Sequence, residues 1–161
     1  MRILGIDPGT RFCGYGVIET DGYEARALEY GVVECRNSPV PVRLKEIFAG
    51  LMEVIERSEP DVAAVESTFS GRNAKTALRI GEGRGVALLA AANCEVEVVE
   101  YAPARVKKSV VGSGRAHKSQ VQQMVSTLLH LPDEDIPEDA ADALALALCH
   151  MARMGPLPEE T

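Results

Sequence analysis

The chain has 161 residues, of which 46% are hydrophobic and only 4% aromatic, and its formal net charge is −7 at pH 7. This length fits one domain with an aliphatic core, and the acidic balance argues against a DNA-binding protein that acts through overall positive charge. The chain has no run of about 18 apolar residues and no signal-peptide pattern at its N-terminus, so we expect a cytoplasmic protein without a membrane span.

The chain begins with three predicted strands. Residues 2–7 form a continuous apolar run that indicates a buried strand. Residues 14–19 follow a Pro-Gly-Thr turn and predict its antiparallel neighbour. The next Asp-Gly pair is a hairpin signal, so we expect a third strand over about 24–35.

Helices and strands alternate in the remainder of the chain. The predicted elements are, in order, a helix over 40–58, a strand over 62–66, a helix over 72–93, a strand over 95–101 and helices near 103–110, 117–130 and 138–153. This order predicts an α/β protein with one mixed sheet flanked by helices. We expect a single domain over 1–154 and a frayed tail over 155–161.

Four acidic residues lie where apolar segments begin or end. Asp7 ends the first predicted strand, Glu66 ends the fourth, and Asp139 and Asp142 stand three residues apart at the start of the last helix. A charge buried against a strand end is unfavourable unless something neutralises it, so these segments predict one shared cation site. Taken singly, each residue is more often a surface charge or a helix cap, and Asp139 would suit a helix N-terminus on its own.

Residues 101–132 contain no acidic residue but five basic ones, namely Arg105, Lys107, Lys108, Arg115 and Lys118. This basic segment predicts a surface that meets phosphate groups, although a solvated helix face explains the charge pattern equally well. A Gly-Ser-Gly sequence before Arg115 favours a flexible loop that carries basic side chains to a DNA backbone. His117 lies in the same segment, and no role can be assigned to it from the sequence.

Several motifs of this chain occur together in one known family. They are Gly5-Ile6-Asp7-Pro8-Gly9-Thr10, Gly14-Tyr15-Gly16-Val17-Ile18, Glu66 with Phe69 and Asn73, the small-residue run 81–87, Lys118-Ser119-Gln120-Val121-Gln122, and Asp139-Ala140-Ala141-Asp142-Ala143-Leu144-Ala145. From residue 1 to about 151 the chain resembles the RuvC family of bacterial Holliday-junction resolvases. The opening motif alone would also suit sugar kinases and actin-like ATPases, but the whole set is highly specific.

The resemblance implies a ribonuclease-H-like fold and a dimeric, metal-dependent endonuclease that cuts four-way DNA junctions in recombination and repair. It implies that the metal-binding carboxylates are Asp7, Glu66, Asp139 and Asp142, although some members have a histidine at the third position. It also implies that Phe69 acts against bases at the junction and that Lys107 and Lys118 lie near the cleaved strand. A branch-migration motor is the partner complex that it implies.

Metal-ion chemistry is consistent with this set of carboxylates. Two Mg²⁺ ions about 3.5–4 Å apart activate a water, neutralise the phosphate and stabilise the leaving oxygen. Mg²⁺ prefers oxygen ligands, so a few carboxylates suffice. We expect two Mg²⁺ ions per active site, with Mn²⁺ as a possible substitute. We place Asp7 between both ions, Glu66 on one side and the Asp139–Asp142 pair on the other. Before metal binds, at least one carboxylate should titrate abnormally high.

Some features keep two interpretations. Phe69 would stack on an unpaired base or fold onto the core. Gly81 and Gly85 allow close approach of another element, which is either the chain's own sheet or a second subunit. The near two-fold symmetry of a four-way junction favours a homodimer. The rival functions are a non-catalytic DNA- or nucleotide-binding module and an actin-like ATPase, for whose second lobe 161 residues leave no room.

Overall fold

A computed structural model describes residues 1–67, 73–132 and 136–155 of the chain. The strands in these residues are β1 (Arg2–Asp7), β2 (Phe12–Thr20), β3 (Ala25–Glu34), β4 (Val62–Glu66) and β5 (Glu97–Tyr101). They form one sheet in the order β3-β2-β1-β4-β5. β2 is antiparallel to both β1 and β3, whereas β4 runs parallel to β1 and β5 runs parallel to β4. The prediction of a mixed sheet is confirmed.

Five helices accompany the sheet in the described residues. They are α1 (Val40–Ser58), α2 (Ala74–Asn93), α3 (Pro103–Val111), α4 (Lys118–Leu128) and α5 (Glu138–Met154). Each predicted helix is present, with small differences at the ends. The predicted start of α2 at position 72 and most of the predicted tail, 156–161, lie outside the described residues. None of the described helices is long and apolar enough to cross a membrane.

The sheet is buried on both faces, and strand alternation decides which face each site residue occupies. Ile3 of β1 and Ala64 of β4 pack in the apolar cluster that includes α3, α4 and α5. Leu4 packs in the cluster on the opposite face, with α1 and α2. Because successive side chains of a strand point to opposite faces, Asp7 and Glu66 lie on the α5 side.

α5 lies directly on the backbone of β1 and β2 because these strands carry glycine where the helix crosses them. A Cβ added at Gly5 would lie 1.7 Å from the carbonyl oxygen of Ala143. A Cβ added at Gly14 would lie 2.0 Å from the carbonyl oxygen of Asp139. Any larger residue at either position would push α5 away from the sheet, so these glycines set the height at which Asp139 lies above the strands.

A short loop joins α3 to α4 on the same side of the sheet. Gly112 ends α3 with φ 81°, in the left-handed region that glycine adopts without strain, and its N–H donates to the carbonyl of Lys108. Both helices pack against α5 and against each other. The turn therefore presents basic side chains of α3 and α4 beside the first turn of α5.

Candidate active site

Asp7 and Glu66 lie at adjacent strand ends. β1 pairs in parallel with β4, with Ile6 opposite Val65, and each acidic residue is the next one along its strand. The predicted shared cation site requires the first and fourth strands to be neighbours, and the sheet order shows that they are. The two carboxylates project toward α5 from the end of the sheet where β1 and β4 both finish.

The first two turns of α5 bring two further carboxylates to the same point. Asp7 is opposite Gly14 in the β1–β2 ladder, and the backbone of Asp139 lies directly over Gly14. One carboxylate oxygen from each of Asp7, Asp139 and Asp142 lies within 4.8 Å of the chosen oxygens of the other two. Glu66 lines the same pocket but lies outside this three-carboxylate cluster.

The pocket has a volume of about 370 Å³, with acidic, basic and apolar walls. Its polar lining residues are Asp7, Glu66, Lys107, Lys118, Asp139 and Asp142, and its apolar lining residues are Pro103, Val106, Val121, Ala145 and Leu146. A larger cavity of about 640 Å³ lies at the opposite end of β1, between the β2–β3 hairpin, α4 and α5. The convergence of charge, and not cavity size, identifies the smaller pocket as the candidate site.

Three carboxylates of the pocket, those of Asp7, Glu66 and Asp142, have raised pKa values. Burial, and then the negative charges of Glu66, Asp142 and Asp139, raise the pKa of Asp7 from 3.8 to about 8, while Lys118 opposes this shift. Burial also raises the pKa of Glu66 and of Asp142. The expectation that at least one carboxylate titrates abnormally high is confirmed. A bound cation would offset both the burial and the repulsion that raise the pKa of Asp7, and so would favour its charged form.

Lys118, the first residue of α4, supplies a positive charge inside this acidic pocket. Its Nζ lies 2.9 Å from Oδ2 of Asp142, and it also forms an ion pair with Glu138. Burial acts to lower the pKa of Lys118, but the hydrogen bonds to Glu138 and Asp142 outweigh burial and raise it. The ammonium group therefore stays charged and balances part of the acidic charge.

The structure divides the basic segment into two parts. Lys107 and Lys118 line the acidic pocket, whereas Lys108 and Arg115 are exposed and do not line it. Arg105 lies over the ring of Tyr101, with its Cζ 5.8 Å from the ring centroid. Phe69 lies outside the described residues, so its two interpretations stay open.

His117, to which the sequence assigns no role, immediately precedes α4. Its backbone N–H donates to Oε1 of Gln120, at 2.9 Å. This bond satisfies one of the backbone donors that a helix N-terminus leaves free, so it stabilises the first turn of α4. The bond joins the backbone of His117 to the side chain of Gln120, so it helps to fix the helix end that carries Lys118 but assigns no role to the imidazole.

Of the two interpretations of Gly81 and Gly85, packing on the chain's own sheet is excluded by the structure. A Cβ added at either position would meet no atom within 4 Å. Gly83 makes the close contact instead, because its added Cβ would lie 2.8 Å from the carbonyl oxygen of Gly9. Residues two apart lie on nearly opposite faces of a helix. α2 therefore rests on the turn that follows Asp7, while Gly81 and Gly85 face outward.

Sequence reasoning missed Glu138 and the buried pair formed by Tyr101 and His150. Glu138 lies four residues before Asp142, and this helical spacing places both on one face of α5, a signal that the sequence offered. Tyr101 Oη and His150 Nδ1 are 2.7 Å apart, and the carbonyl of Tyr101 accepts a hydrogen bond from Ser67 N at 2.9 Å. These bonds tie α5 to the ends of β4 and β5, beside Glu66.

Comparisons with known proteins agree with this architecture. Residues 3–150 match the family model described as "Crossover junction endodeoxyribonuclease RuvC". The chain is 50% identical over 151 residues to the protein of that name from Desulforamulus reducens, covering 93% of each chain. It is 52% identical over 151 residues to the one from Dehalococcoides mccartyi strain BAV1, covering 93% of this chain and 90% of the relative.

A solved structure shares the fold over the same extent. The structure titled "T. thermophilus RuvC in complex with Holliday junction substrate" superposes with a TM-score of 0.88 at 38% identity and covers 98% of this chain and 99% of the other. The predicted ribonuclease-H-like fold is therefore confirmed. The motifs that suggested the family lie within the matched residues, and the chain belongs to the RuvC family of crossover junction endodeoxyribonucleases.

Proposed function

We propose that this protein resolves four-way (Holliday) DNA junctions by paired, symmetric, metal-dependent hydrolysis of phosphodiester bonds during recombination and repair. The observation that carries the proposal is the cluster of Asp7, Asp139 and Asp142, whose carboxylate oxygens approach within 4.8 Å of one another in a pocket flanked by lysines. Carboxylates held this close repel unless a cation joins them. A relative from Thermus thermophilus is described in complex with this type of junction, which supports the choice of substrate.

The proposed cofactor is Mg²⁺, with two ions per active site and Mn²⁺ as a substitute. All donors of the carboxylate set are oxygen atoms, and neither histidine nor cysteine lines the pocket among the described residues, which suits a hard cation. When bound, the ions would supply an activated water and stabilise the charge on the attacked phosphate. Asp7 is the proposed bridging residue because the charges of Glu66, Asp142 and Asp139 all act on its buried carboxylate, which places it between the other three.

The remaining lining residues have distinct proposed roles. Lys107 and Lys118 bind the phosphate at the cleaved strand, since both residues line the acidic pocket. Val106 and Val121 are buried and form part of an apolar wall, which limits the water that reaches the carboxylates. Lys108 and Arg115, which are exposed outside the pocket, extend the phosphate-binding surface along the DNA. Phe69 stacks on a base at the junction.

The proposed functional unit is a homodimer that forms through α2. Leu78 is 66% exposed and Leu89 59% exposed, and the outward-facing Gly81 and Gly85 lie between them on one side of the helix. An exposed apolar stripe with open glycine positions suits close packing of two helices. A two-fold dimer would present two acidic pockets to the two strands that a symmetric resolution must cut.

The proposal also covers the domain organisation, the partner complex and the location of the protein. Residues 1–154 act as one nuclease domain, because the two apolar clusters pack on opposite faces of the same sheet. A branch-migration motor acts together with the dimer on the same junction. An enzyme whose substrate is chromosomal DNA works in the cytoplasm of a bacterium, so a cytoplasmic location belongs to the same proposal.

The decisive test is cleavage of a labelled four-way junction and a matched linear duplex, in Mg²⁺ and in chelator, with both nicks mapped. We expect symmetric nicks in the junction only, and only with metal. The Asp7→Asn variant should bind the junction but leave it intact. The rival non-catalytic binding module predicts binding without product in every condition. Cleavage by Asp7→Asn in Mg²⁺ would show that the metal site is misassigned.

A further inference from the structure

The ammonium group of Lys118 is shared between two carboxylates of different kinds. Asp142 belongs to the three-carboxylate cluster and has a side chain that is 29% exposed. Glu138 lies outside that cluster, one turn earlier on α5, and has a side chain that is 61% exposed. Lys118 therefore spans from the candidate metal site to the solvent-facing edge of the pocket.

We propose that Lys118 and Glu138 form a counter-ion relay. Lys118 balances Asp142 while the site holds no cation, and Glu138 retains the ammonium group when a divalent cation takes the oxygens of Asp142. Glu138 is thus a positioning residue that acts through Lys118. The proposal rests on the metal-dependent function proposed above and adds the means by which metal binding and DNA binding are coupled.

Competition for Asp142 is the first step. An ammonium group 2.9 Å from an oxygen of Asp142 occupies the space and the lone pairs that a cation would use. A divalent cation at the same carboxylate would also repel Lys118 strongly at this distance. Lys118 must then leave Asp142, so metal binding and the Lys118–Asp142 pair exclude one another.

Capture by Glu138 is the second step. Glu138 and Asp142 are four residues apart on α5, so they lie on the same face of the helix. Lys118 already contacts both, and its flexible stem carries three donors. A rotation of one side chain therefore suffices, and neither helix needs to move. The transfer carries the ammonium group from the half-buried carboxylate toward the exposed one.

The relay links the two ligands of the enzyme. Without metal, Lys118 is neutralised by two carboxylates and has little attraction left for phosphate. With metal, it keeps one exposed partner and can share its donors with a phosphate group of the DNA. Because such coupling is reciprocal, junction binding should tighten metal binding through the same residue.

The first test measures Mn²⁺ binding to the DNA-free protein by titration calorimetry. Lys118→Met should bind Mn²⁺ about threefold to tenfold more tightly, because the competing ammonium group is gone. The Glu138→Gln substitution should weaken Mn²⁺ binding about threefold in the natural protein. The same substitution should not change Mn²⁺ binding when Lys118→Met is also present. Lys45→Met and Glu53→Gln, which change exposed residues of α1, are the matched controls and should change nothing.

The outcomes separate the relay from simpler accounts. An equal loss from Glu138→Gln in both backgrounds would show that Glu138 acts only as a nearby charge, and unchanged Mn²⁺ affinity in Lys118→Met would show that Lys118 does not compete. Either result would overturn the relay while leaving the metal site in place. Absence of any Mn²⁺ binding by the natural protein would instead overturn the proposed function.

The second test measures junction binding by fluorescence anisotropy, in chelator and in Ca²⁺. Lys118→Met should weaken binding about threefold to tenfold in Ca²⁺ and hardly at all in chelator, because only the metal-loaded protein frees Lys118 for phosphate. An equal loss in both conditions would contradict the relay. Thermal melts of each variant check that the fold is retained. Glu138→Asp, which keeps the negative charge, should retain most of the coupling between metal binding and junction binding that Glu138→Gln loses.

Discussion

Replacing Asp7 by Asn should stabilise the metal-free protein at neutral and alkaline pH. The pKa of Asp7 is about 8 in the folded chain, because of burial and neighbouring carboxylates, against 3.8 as an ordinary value. The raised pKa means that the folded chain keeps a proton that the unfolded chain has already released between about pH 4 and pH 8. Stability of the metal-free protein therefore falls as the pH rises through this window. An amide of the same shape removes that loss.

The magnitude follows from the size of the shift. A difference of about four pKa units corresponds to at most about 5–6 kcal/mol. Asp7 keeps some contact with water and its titration is coupled to that of neighbouring groups, so we expect about 2–4 kcal/mol near pH 8 and close to none near pH 4. Glu66 and Asp142, whose pKa values are also raised, remain in the variant, so its pH dependence should weaken without vanishing.

The assay is urea unfolding in chelator, followed by far-ultraviolet circular dichroism because the chain has no Trp. Unfolding free energies of the natural protein and Asp7→Asn are compared at several values from about pH 5 to about pH 8. Glu53→Gln, an exposed carboxylate of α1, serves as the control. Adding Mn²⁺ should stabilise the natural protein more than Asp7→Asn, since only the carboxylate binds the ion well. Parallel pH curves for the natural protein and Asp7→Asn would refute the reasoning.

Four further predictions test separate parts of the molecule. Gly14→Ala should weaken Mn²⁺ binding about tenfold and lower the free energy of unfolding by about 1–3 kcal/mol, because the added Cβ would collide with Asp139. Gly81→Ala, at an open position, is the control and should leave the Mn²⁺ affinity measured by calorimetry unchanged. Arg115→Ala should lower the slope of log binding constant against log salt by about 0.9 in a junction titration, and an unchanged slope would remove it from the interface. Leu89→Glu should convert the dimer to a monomer in sedimentation analysis, whereas Val42→Glu, at another exposed apolar residue, should not. Phe69→Ala should reduce the cleavage rate far more than the unfolding free energy, and equal losses would favour a core position for Phe69.

The order and type of the elements were predictable because local patterns encode them. Apolar runs, alternation and helical spacing gave all five strands and all five helices of the described residues, with differences only at the ends. The adjacency of Asp7 and Glu66 was harder to predict, because strand order is a property of the whole sheet and not of a local pattern. It followed only from the argument that separate buried charges need a common partner, and the β1–β4 pairing agrees with it.

Contacts between distant segments were not predictable in the same way. α2 is rich in alanine and glycine, so its sequence does not distinguish the face that rests on Gly9 from the face that is open. The sequence therefore left two interpretations for Gly81 and Gly85 and did not single out Gly83, which makes the close contact. The Lys118–Glu138 pair depends on how the starts of α4 and α5 approach each other. Neither residue carries a local signal for that approach, although the spacing of Glu138 and Asp142 was visible.

The charge distribution explains how an acidic chain would bind DNA at one place only. The net charge of −7 opposes binding of DNA by overall charge, and the pocket itself holds four carboxylates against Lys107 and Lys118. Two divalent cations would add four positive charges there and reverse the sign of the local field, while the remaining surface stays acidic. DNA would then be attracted to the loaded pocket and to the exposed Lys108 and Arg115 of the same basic segment. The ions proposed for the hydrolysis would therefore also direct the junction to the candidate site, so affinity for the junction should depend on metal even in variants that cannot cut.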